Sequence, residues 1–210
     1  MSESRMTRQP IAARKKPAPP EESRPGEGLS ARLRQARKMQ NLTLKDVAER
    51  AGLSIGLVSQ IERGLTTPSM RSLRELAGAL GLPVGSLFSH GDGGNIEEMR
   101  HIVRKDMRRV LKLDHIGLHM EIFTPAEGYA IQAFTTYLSP GGMSGLEFDA
   151  HEGQECGMVI DGQLELFLGS ERYLLGPGDS FSFQSTTPHR YWNPGTTMTY
   201  LHWMITPPIY

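Results

Sequence analysis

Apolar side chains recur every three or four residues in the first part of this 210-residue chain and every second residue in the rest. The first spacing is typical of amphipathic helices, and the second of strands that bury one face. The spacing changes after the glycine-rich stretch 91–95. We therefore predict an all-α domain at 28–88 and an all-β domain at 101–210, joined by a linker at 89–100. The Pro-, Arg-, Ser- and Glu-rich tail at 1–27 is predicted to be disordered.

Five helices are predicted within 28–88, the fifth being the short segment 83–88. Glycine and capping residues separate them, and their apolar positions fall on one side of each helix. Together these positions predict a single small core that contains Leu33, Val47, Val58, Ile61, Leu73, Leu76, Leu80 and Leu87.

The second and third helices have the strongest local signals. Thr43 is predicted to cap the second helix, with Asp46 three residues later in a capping-box arrangement. Gly52 ends that helix, where a left-handed backbone favours glycine. Ser54 is predicted to cap the third helix. This is the spacing of two helices joined by a tight turn.

The third helix turns Val58 and Ile61 inward, which leaves Ile55, Gly56, Ser59 and Gln60 on its outward face near the N-terminus. A helix fits the major groove of DNA, and its first turns reach the base edges. Arginine and lysine nearby can bind phosphates. The predicted DNA-binding residues are Ser54, Ile55, Gly56, Ser59, Gln60, Arg63, Lys45 and Arg37.

The stretch from Leu44 to Arg63 resembles the helix-turn-helix of the lambda-repressor and Cro-like family, and the similarity extends over about 28–88. The resemblance implies a double-stranded DNA operator as partner and a homodimer as the binding unit. Two recognition helices must then lie about 34 Å apart, one turn of DNA. Gln60 has an amide that can bind adenine through two hydrogen bonds.

Charge divides the chain in the same place as the hydrophobic pattern. Residues 28–90 hold nine basic and four acidic side chains, whereas residues 111–210 hold three basic and eleven acidic ones. The basic half suits phosphates. The acidic half is unsuited to DNA, so we expect the two halves to have different partners.

Ten short alternating segments between about 101 and 206, punctuated by Gly and Pro, predict a sandwich or barrel. The stretch from Gly142 to Asn193 resembles the cupin family, a double-sheet jelly-roll barrel. The residues that carry the resemblance are His151, Glu155, Gly162, Gly178, His189 and Asn193. The resemblance covers about 110–210 and implies an effector-binding pocket.

The cupin resemblance also implies a metal site, with one departure. The first histidine position of the family falls on Asp149, so the ligand set for a divalent metal becomes Asp149, His151, Glu155 and His189. Imidazole and carboxylate ligands suit Zn, Mn, Fe or Ni. In the alternative, the pocket has no metal and the same residues bind an organic effector. The carboxylates Glu121, Glu147, Asp149 and Glu155 would favour a cationic one.

The two resemblances together are those of bacterial transcriptional regulators with a cupin sensor domain. We therefore expect a DNA-binding regulator and not an enzyme. We expect it to act as a repressor whose small-molecule effector changes operator affinity. Two alternatives remain: a metal-dependent cupin enzyme tethered to DNA, and an interaction protein whose helical domain binds protein. A single cysteine, no signal peptide and no apolar run of membrane-spanning length predict a cytoplasmic protein without a membrane partner.

Overall fold

The computed structural model describes residues 27–88, 101–125 and 129–209. The predicted linker at 89–100 and all of the predicted tail except Glu27 lie outside these residues. The described part of the helical domain has four α-helices: α1 (Glu27–Met39), α2 (Leu44–Ala51), α3 (Ile55–Glu62) and α4 (Met70–Ala79).

The predicted fifth helix is wrong in type. Residues Val84–Leu87 form a single turn of 3-10 helix that begins after Pro83 and ends at Phe88. Four residues are too few for a helix with repeated i to i+4 hydrogen bonds. The predicted core is confirmed, because all eight of its apolar side chains are buried.

In its described residues the second domain has nine strands: β1 (Arg109–Leu113), β2 (Leu118–Ile122), β3 (Gln132–Leu138), β4 (Gln154–Asp161), β5 (Leu164–Leu168), β6 (Glu171–Leu175), β7 (Ser180–Gln184), β8 (His189–Trp192) and β9 (Thr199–Thr206). A six-stranded sheet has the order β1-β2-β3-β9-β4-β7, and a three-stranded sheet has the order β6-β5-β8. All the pairings are antiparallel.

The predicted jelly-roll barrel is present as two sheets, but it is not closed over residues 101–125 and 129–209. In the described residues, the strands form two separate sheets rather than one continuous hydrogen-bonded ring. The inner faces of both sheets supply the core, which includes Leu166 of β5, Val159 of β4 and Trp203 of β9. The arrangement is therefore a two-sheet jelly roll, with the pocket between its sheets.

Two of the predicted alternating segments, 101–105 and 145–151, are not strands. In the second, side chains bind two of the carbonyl groups. Arg190 Nη1 donates to the Leu146 carbonyl at 2.9 Å, and Arg74 Nη2 donates to the Ala150 carbonyl at 3.3 Å. The backbone pairing with β8 is an isolated bridge between Asp149 and His189.

Candidate functional site

The turn between α2 and α3 has the predicted capping geometry. The Thr43 hydroxyl accepts from the Asp46 amide at 3.1 Å, and the Asp46 carboxylate accepts from the Thr43 amide at 2.7 Å. Gly52 has a φ of 64° and ends α2 in the left-handed conformation. Ser54 caps α3 by accepting from the Leu57 amide at 3.1 Å. These contacts fix the turn between α2 and α3, and with it the orientation of α3 relative to α2.

The outer face of α3 is accessible, as predicted. Val58 and Ile61 are buried, whereas Ile55, Gly56 and Gln60 are exposed. Ile55 has 48% of its surface exposed, a large fraction for an isoleucine. The accessible face thus combines an apolar contact, a glycine that permits close approach, and an amide.

The predicted phosphate-binding cations differ in their surroundings. Arg63 is exposed, and its Nε donates only to the Ser59 carbonyl at 3.3 Å. Lys45 is also exposed, with Glu49 at 3.7 Å. Arg37, in contrast, donates to both carboxylate oxygens of the buried Glu62, at 2.6 and 2.8 Å. Because this guanidinium is engaged inside the domain, we leave Arg37 out of the proposed DNA interface.

The pocket between the two sheets is lined by three of the four predicted effector residues, Asp149, Glu155 and His189. A cavity of about 20 Å³ is lined by Phe134, Asp149, Glu155, His189, Tyr191 and Trp203 from the cupin domain, and by Met70 and Arg71 from α4. A volume of this size holds about one water molecule. Burial raises the pKa of Tyr191, so its hydroxyl stays neutral in this wall.

Two imidazoles and one carboxylate converge in the pocket. Oε1 of Glu155 lies 3.1 Å from Nε2 of His151 and 3.3 Å from Nε2 of His189. Nδ1 of His189 lies 2.9 Å from the Thr187 carbonyl, and Nδ1 of His151 lies 3.0 Å from the Glu152 carbonyl. Carbonyls only accept, so each Nδ1 carries a proton. Each Nε2 therefore faces Glu155. It donates to the carboxylate when the ring is charged, and it offers a lone pair to a metal ion when the ring is neutral.

The protonation of His151 reflects the same cluster. Burial opposes a charge on the ring, but the hydrogen bonds to the Glu155 side chain and the Glu152 backbone outweigh it. The net effect raises the pKa of His151. The cluster therefore favours a positive charge between these groups, whether a proton or a metal ion.

Three of the four predicted ligands, Asp149, His151 and His189, form one compact group, which does not include Glu155. The Asp149 backbone exchanges two 2.8 Å hydrogen bonds with His189. Its carboxylate lies with His151 and His189 in a group whose candidate ligand atoms are all within 4.8 Å of one another. Oδ1 of Asp149 also accepts from Nη2 of Arg74, on α4. The Asp149 carboxylate, a candidate metal ligand, is thus already paired with the Arg74 guanidinium of the helical domain.

Sequence reasoning missed the contribution of α4 to this pocket. Arg71 and Arg74 are three residues apart on α4, and Arg71 Nη1 lies 3.1 Å from Oε2 of Glu147. The first turn of α4 holds Arg71 and no acidic residue. A cation at a helix N-terminus is unfavourable for the helix dipole. The position of Arg71 in this first turn was therefore a sequence signal for an acidic partner outside α4.

One predicted carboxylate lies elsewhere and one pocket residue was not predicted. Glu121, grouped with the pocket carboxylates, instead pairs with Arg108 at 3.0 Å and lies near His119. Trp203, which no motif singled out, donates its Nε1–H to Oε2 of Glu155 at 2.6 Å. The alternation of β9 points Trp203 into the pocket, so His202 lies on the opposite face of the sheet.

Within the described ranges, no helix is long and apolar enough to cross a membrane.

Comparisons with known proteins match both halves of the chain. A helix-turn-helix family model matches residues 33–87, and a cupin domain model matches residues 134–205. The HTH-type transcriptional regulator PuuR of Escherichia coli (strain K12) is 28% identical over 80% of this chain and 89% of its own length. The regulator SutR of the same organism is 26% identical over 84% of this chain and 93% of its own.

A solved structure has the same overall architecture. The crystal structure of an HTH_3 family transcriptional regulator from Vibrio cholerae covers 87% of this chain and 97% of its own, with a TM-score of 0.59 and 20% identity. The named relatives are regulators, in agreement with the prediction that the chain is not an enzyme. The chain is therefore a DNA-binding transcriptional regulator of the HTH type, with an N-terminal helix-turn-helix domain and a C-terminal cupin domain.

Proposed function

We propose that α3 reads an operator and that a ligand bound in the cupin pocket changes operator affinity. The observation that carries the first part is the exposed face of α3, with Ile55, Gly56 and Gln60 beside buried Val58 and Ile61. The second part rests on the convergence of imidazoles and carboxylates in a pocket that both domains line.

The roles on DNA follow from the side chains. The Gln60 amide binds an adenine edge, Ile55 contacts a thymine methyl, and Gly56 allows close approach. Ser59, half-buried, and the Ser54 hydroxyl bind a base or a phosphate. Exposed Arg63 and Lys45 bind phosphates and supply the salt-dependent part of the affinity.

The pocket residues fit a divalent metal. Ligand atoms about 2.1 Å from a tetrahedral ion lie roughly 3.4 Å apart. The 3.1 and 3.3 Å separations of Glu155 Oε1 from the two Nε2 atoms match that spacing. His151, Glu155 and His189 would hold the ion, with Asp149 as fourth ligand. The ion would supply a positive centre for an oxygen or nitrogen donor of a small effector.

A homodimer is the proposed binding unit, joined through the cupin domains. The outer face of the six-stranded sheet exposes Met158, Ile160 and Met204, by 42%, 36% and 36% of their surfaces. Met158 lies on β4 and Met204 on the paired strand β9, so the exposed side chains are neighbours on one face. Burying such a face in a second copy would give the two recognition helices that an operator with two half-sites requires.

The test of DNA reading uses Gln60→Ala in the full chain. An operator is first selected from random duplexes with the wild-type protein, and binding is then measured by fluorescence anisotropy on that operator and on random DNA. We expect about 10-fold weaker operator binding, since a two-hydrogen-bond contact contributes about 1–3 kcal/mol. Random-DNA binding should be unchanged. Equal loss on both DNAs would contradict base reading by Gln60. Gln35→Ala, exposed on α1, is the control.

Native mass spectrometry tests the pocket and the dimer together. The protein is stripped with a chelator and titrated with Zn²⁺ or Mn²⁺. We expect a dimer that takes up one ion per subunit, and no uptake for His189→Ala. Uptake that persists in His189→Ala would contradict the proposed ligand set. Mutation of exposed His115 to Ala is the control for adventitious histidine binding.

A further inference from the structure

Helix α4 of the DNA-binding domain closes the mouth of the cupin pocket. Met70 and Arg71, in its first turn, line the same cavity as Glu155, His189 and Trp203. A helix that takes part in the DNA-binding fold thus forms part of the wall of the effector site.

Two charge pairs join α4 to the cupin domain. Arg71 faces Glu147 at 3.1 Å, and Arg74 contacts Asp149. The arginines are three residues apart on a helix and the carboxylates two apart in sequence, spacings that let both pairs form together. The Arg74 and Asp149 side chains are 20% and 11% exposed, whereas those of Arg71 and Glu147 are 46% and 70% exposed. Water and salt therefore weaken the Arg74–Asp149 pair less than the Arg71–Glu147 pair.

The backbone shows how close the two domains lie. The Met70 amide is the first of α4 and has no acceptor within the helix. It donates instead to the Ser144 carbonyl, at 3.0 Å. Gly145 has a φ of 144°, and a Cβ there would lie 2.6 Å from the Ser69 Cβ. The approach therefore depends on glycine at that position.

We propose that Arg74 is a built-in competitor for the metal site, and that a divalent cation bound by Asp149 expels it and releases α4. This inference rests on the proposed metal site. A divalent ion at Asp149 would bring two positive charges beside the guanidinium, and their repulsion opposes a shared carboxylate. The guanidinium is thus the resident cation when no metal is bound.

Release of α4 would carry the whole DNA-binding domain with it. Leu73, Leu76 and Ala77 of α4 are buried in the helical core, so α4 cannot leave the pocket alone. The docked state holds the domain in one orientation, and the released state frees it. Differential affinity of the cation for these two states is what couples the pocket to DNA.

Cavity size leads to the same coupling for larger ligands. About 20 Å³ admits one water or an ion while α4 is docked. An organic effector that binds the ion must displace Met70 and Arg71. Metal loading and effector entry thus act on the same contact.

The test measures Zn²⁺ affinity calorimetrically in the full chain, for the wild type, Arg74→Gln and Arg71→Gln. Removing the competitor in Arg74→Gln should lower the Kd about 10-fold, equivalent to about 1.4 kcal/mol. Arg71→Gln, whose partner is not a ligand, should have a smaller effect. Arg34→Gln, exposed on α1, is the matched control and should be unchanged.

Hydrogen exchange of the Met70 amide is the second measurement, because its acceptor lies in the other domain. We expect protection without metal and faster exchange with Zn²⁺. Arg74→Gln should exchange faster even without metal. If zinc binds the wild type and Arg74→Gln equally and the protection persists, the competition is overturned while the metal site stands. If no variant binds zinc, both the metal site and the competition are overturned.

Discussion

Trp203 donates its indole N–H to Oε2 of Glu155 at 2.6 Å, while Oε1 of the same carboxylate faces the two pocket imidazoles. Both residues are buried. The indole therefore orients the carboxylate from behind and leaves its other oxygen toward the candidate metal site, the arrangement of an outer ligand that fixes an inner one.

Trp203→Phe should weaken metal binding because it removes this orienting donor but keeps an aromatic ring. We expect about a 10-fold higher Kd for Zn²⁺, and a loss of about 1–3 kcal/mol of stability because a buried carboxylate oxygen loses its partner. Calorimetry and urea unfolding measure the two effects. Trp192→Phe, with 40% of the side chain exposed, is the control. Unchanged zinc affinity in Trp203→Phe would contradict the orienting role.

Stability should fall in acid through the histidines on the outer face of the six-stranded sheet. Burial lowers the pKa of His119, and burial with the Arg108 charge lowers the pKa of His202. With folded pKa values below the ordinary 6.5, the unfolded chain takes up protons first. Stability is full above pH 6.5 and declines as pH falls toward the folded values.

His119→Gln should therefore reduce the loss of stability between pH 7.5 and pH 5.5, measured by urea unfolding with chelator present. The chelator removes metal effects, and the pocket histidines are the same in both proteins. His115→Gln, at an exposed position, is the control. The same pH dependence in His119→Gln and wild type would show that His119 does not contribute.

Arg37→Ala should destabilise the helical domain rather than act on DNA directly. The substitution removes the guanidinium that donates two hydrogen bonds to the buried Glu62 carboxylate. We expect a loss of about 2–4 kcal/mol, with partial recovery in the apolar pair Arg37→Met/Glu62→Leu. Thermal unfolding measures it. Recovered stability with DNA binding still lost would return Arg37 to the phosphate-binding residues.

Arg63→Gln should reduce the salt dependence of DNA binding. One phosphate contact fewer lowers the slope of log K against log [salt] by about 1, on operator and random DNA alike. Anisotropy titrations at several salt concentrations measure the slope. Lys105→Gln, exposed in the cupin domain, should leave it unchanged. Loss confined to the operator would instead make Arg63 a base-reading residue.

The caps and the recognition helix were predictable because their causes are local. Thr43, Gly52 and Ser54 act on backbone within three or four residues, so their spacing alone predicts the turn. The resemblance to cupins was specific enough to predict that His151 and Glu155 lie close together. The orientation of His202 was not predictable, since one residue of register in β9 decides whether it or Trp203 faces the pocket.

The sequence by itself determined two domains, their classes, the exposed face of α3 and three residues of the pocket wall, because periodicity, caps and motif spacing act over short distances. Only the tertiary structure decided that Arg37 pairs with Glu62, 25 residues away, and Arg74 with Asp149, 75 residues away. Such contacts depend on how whole elements pack, and the charge of a side chain does not specify which of many opposite charges it meets.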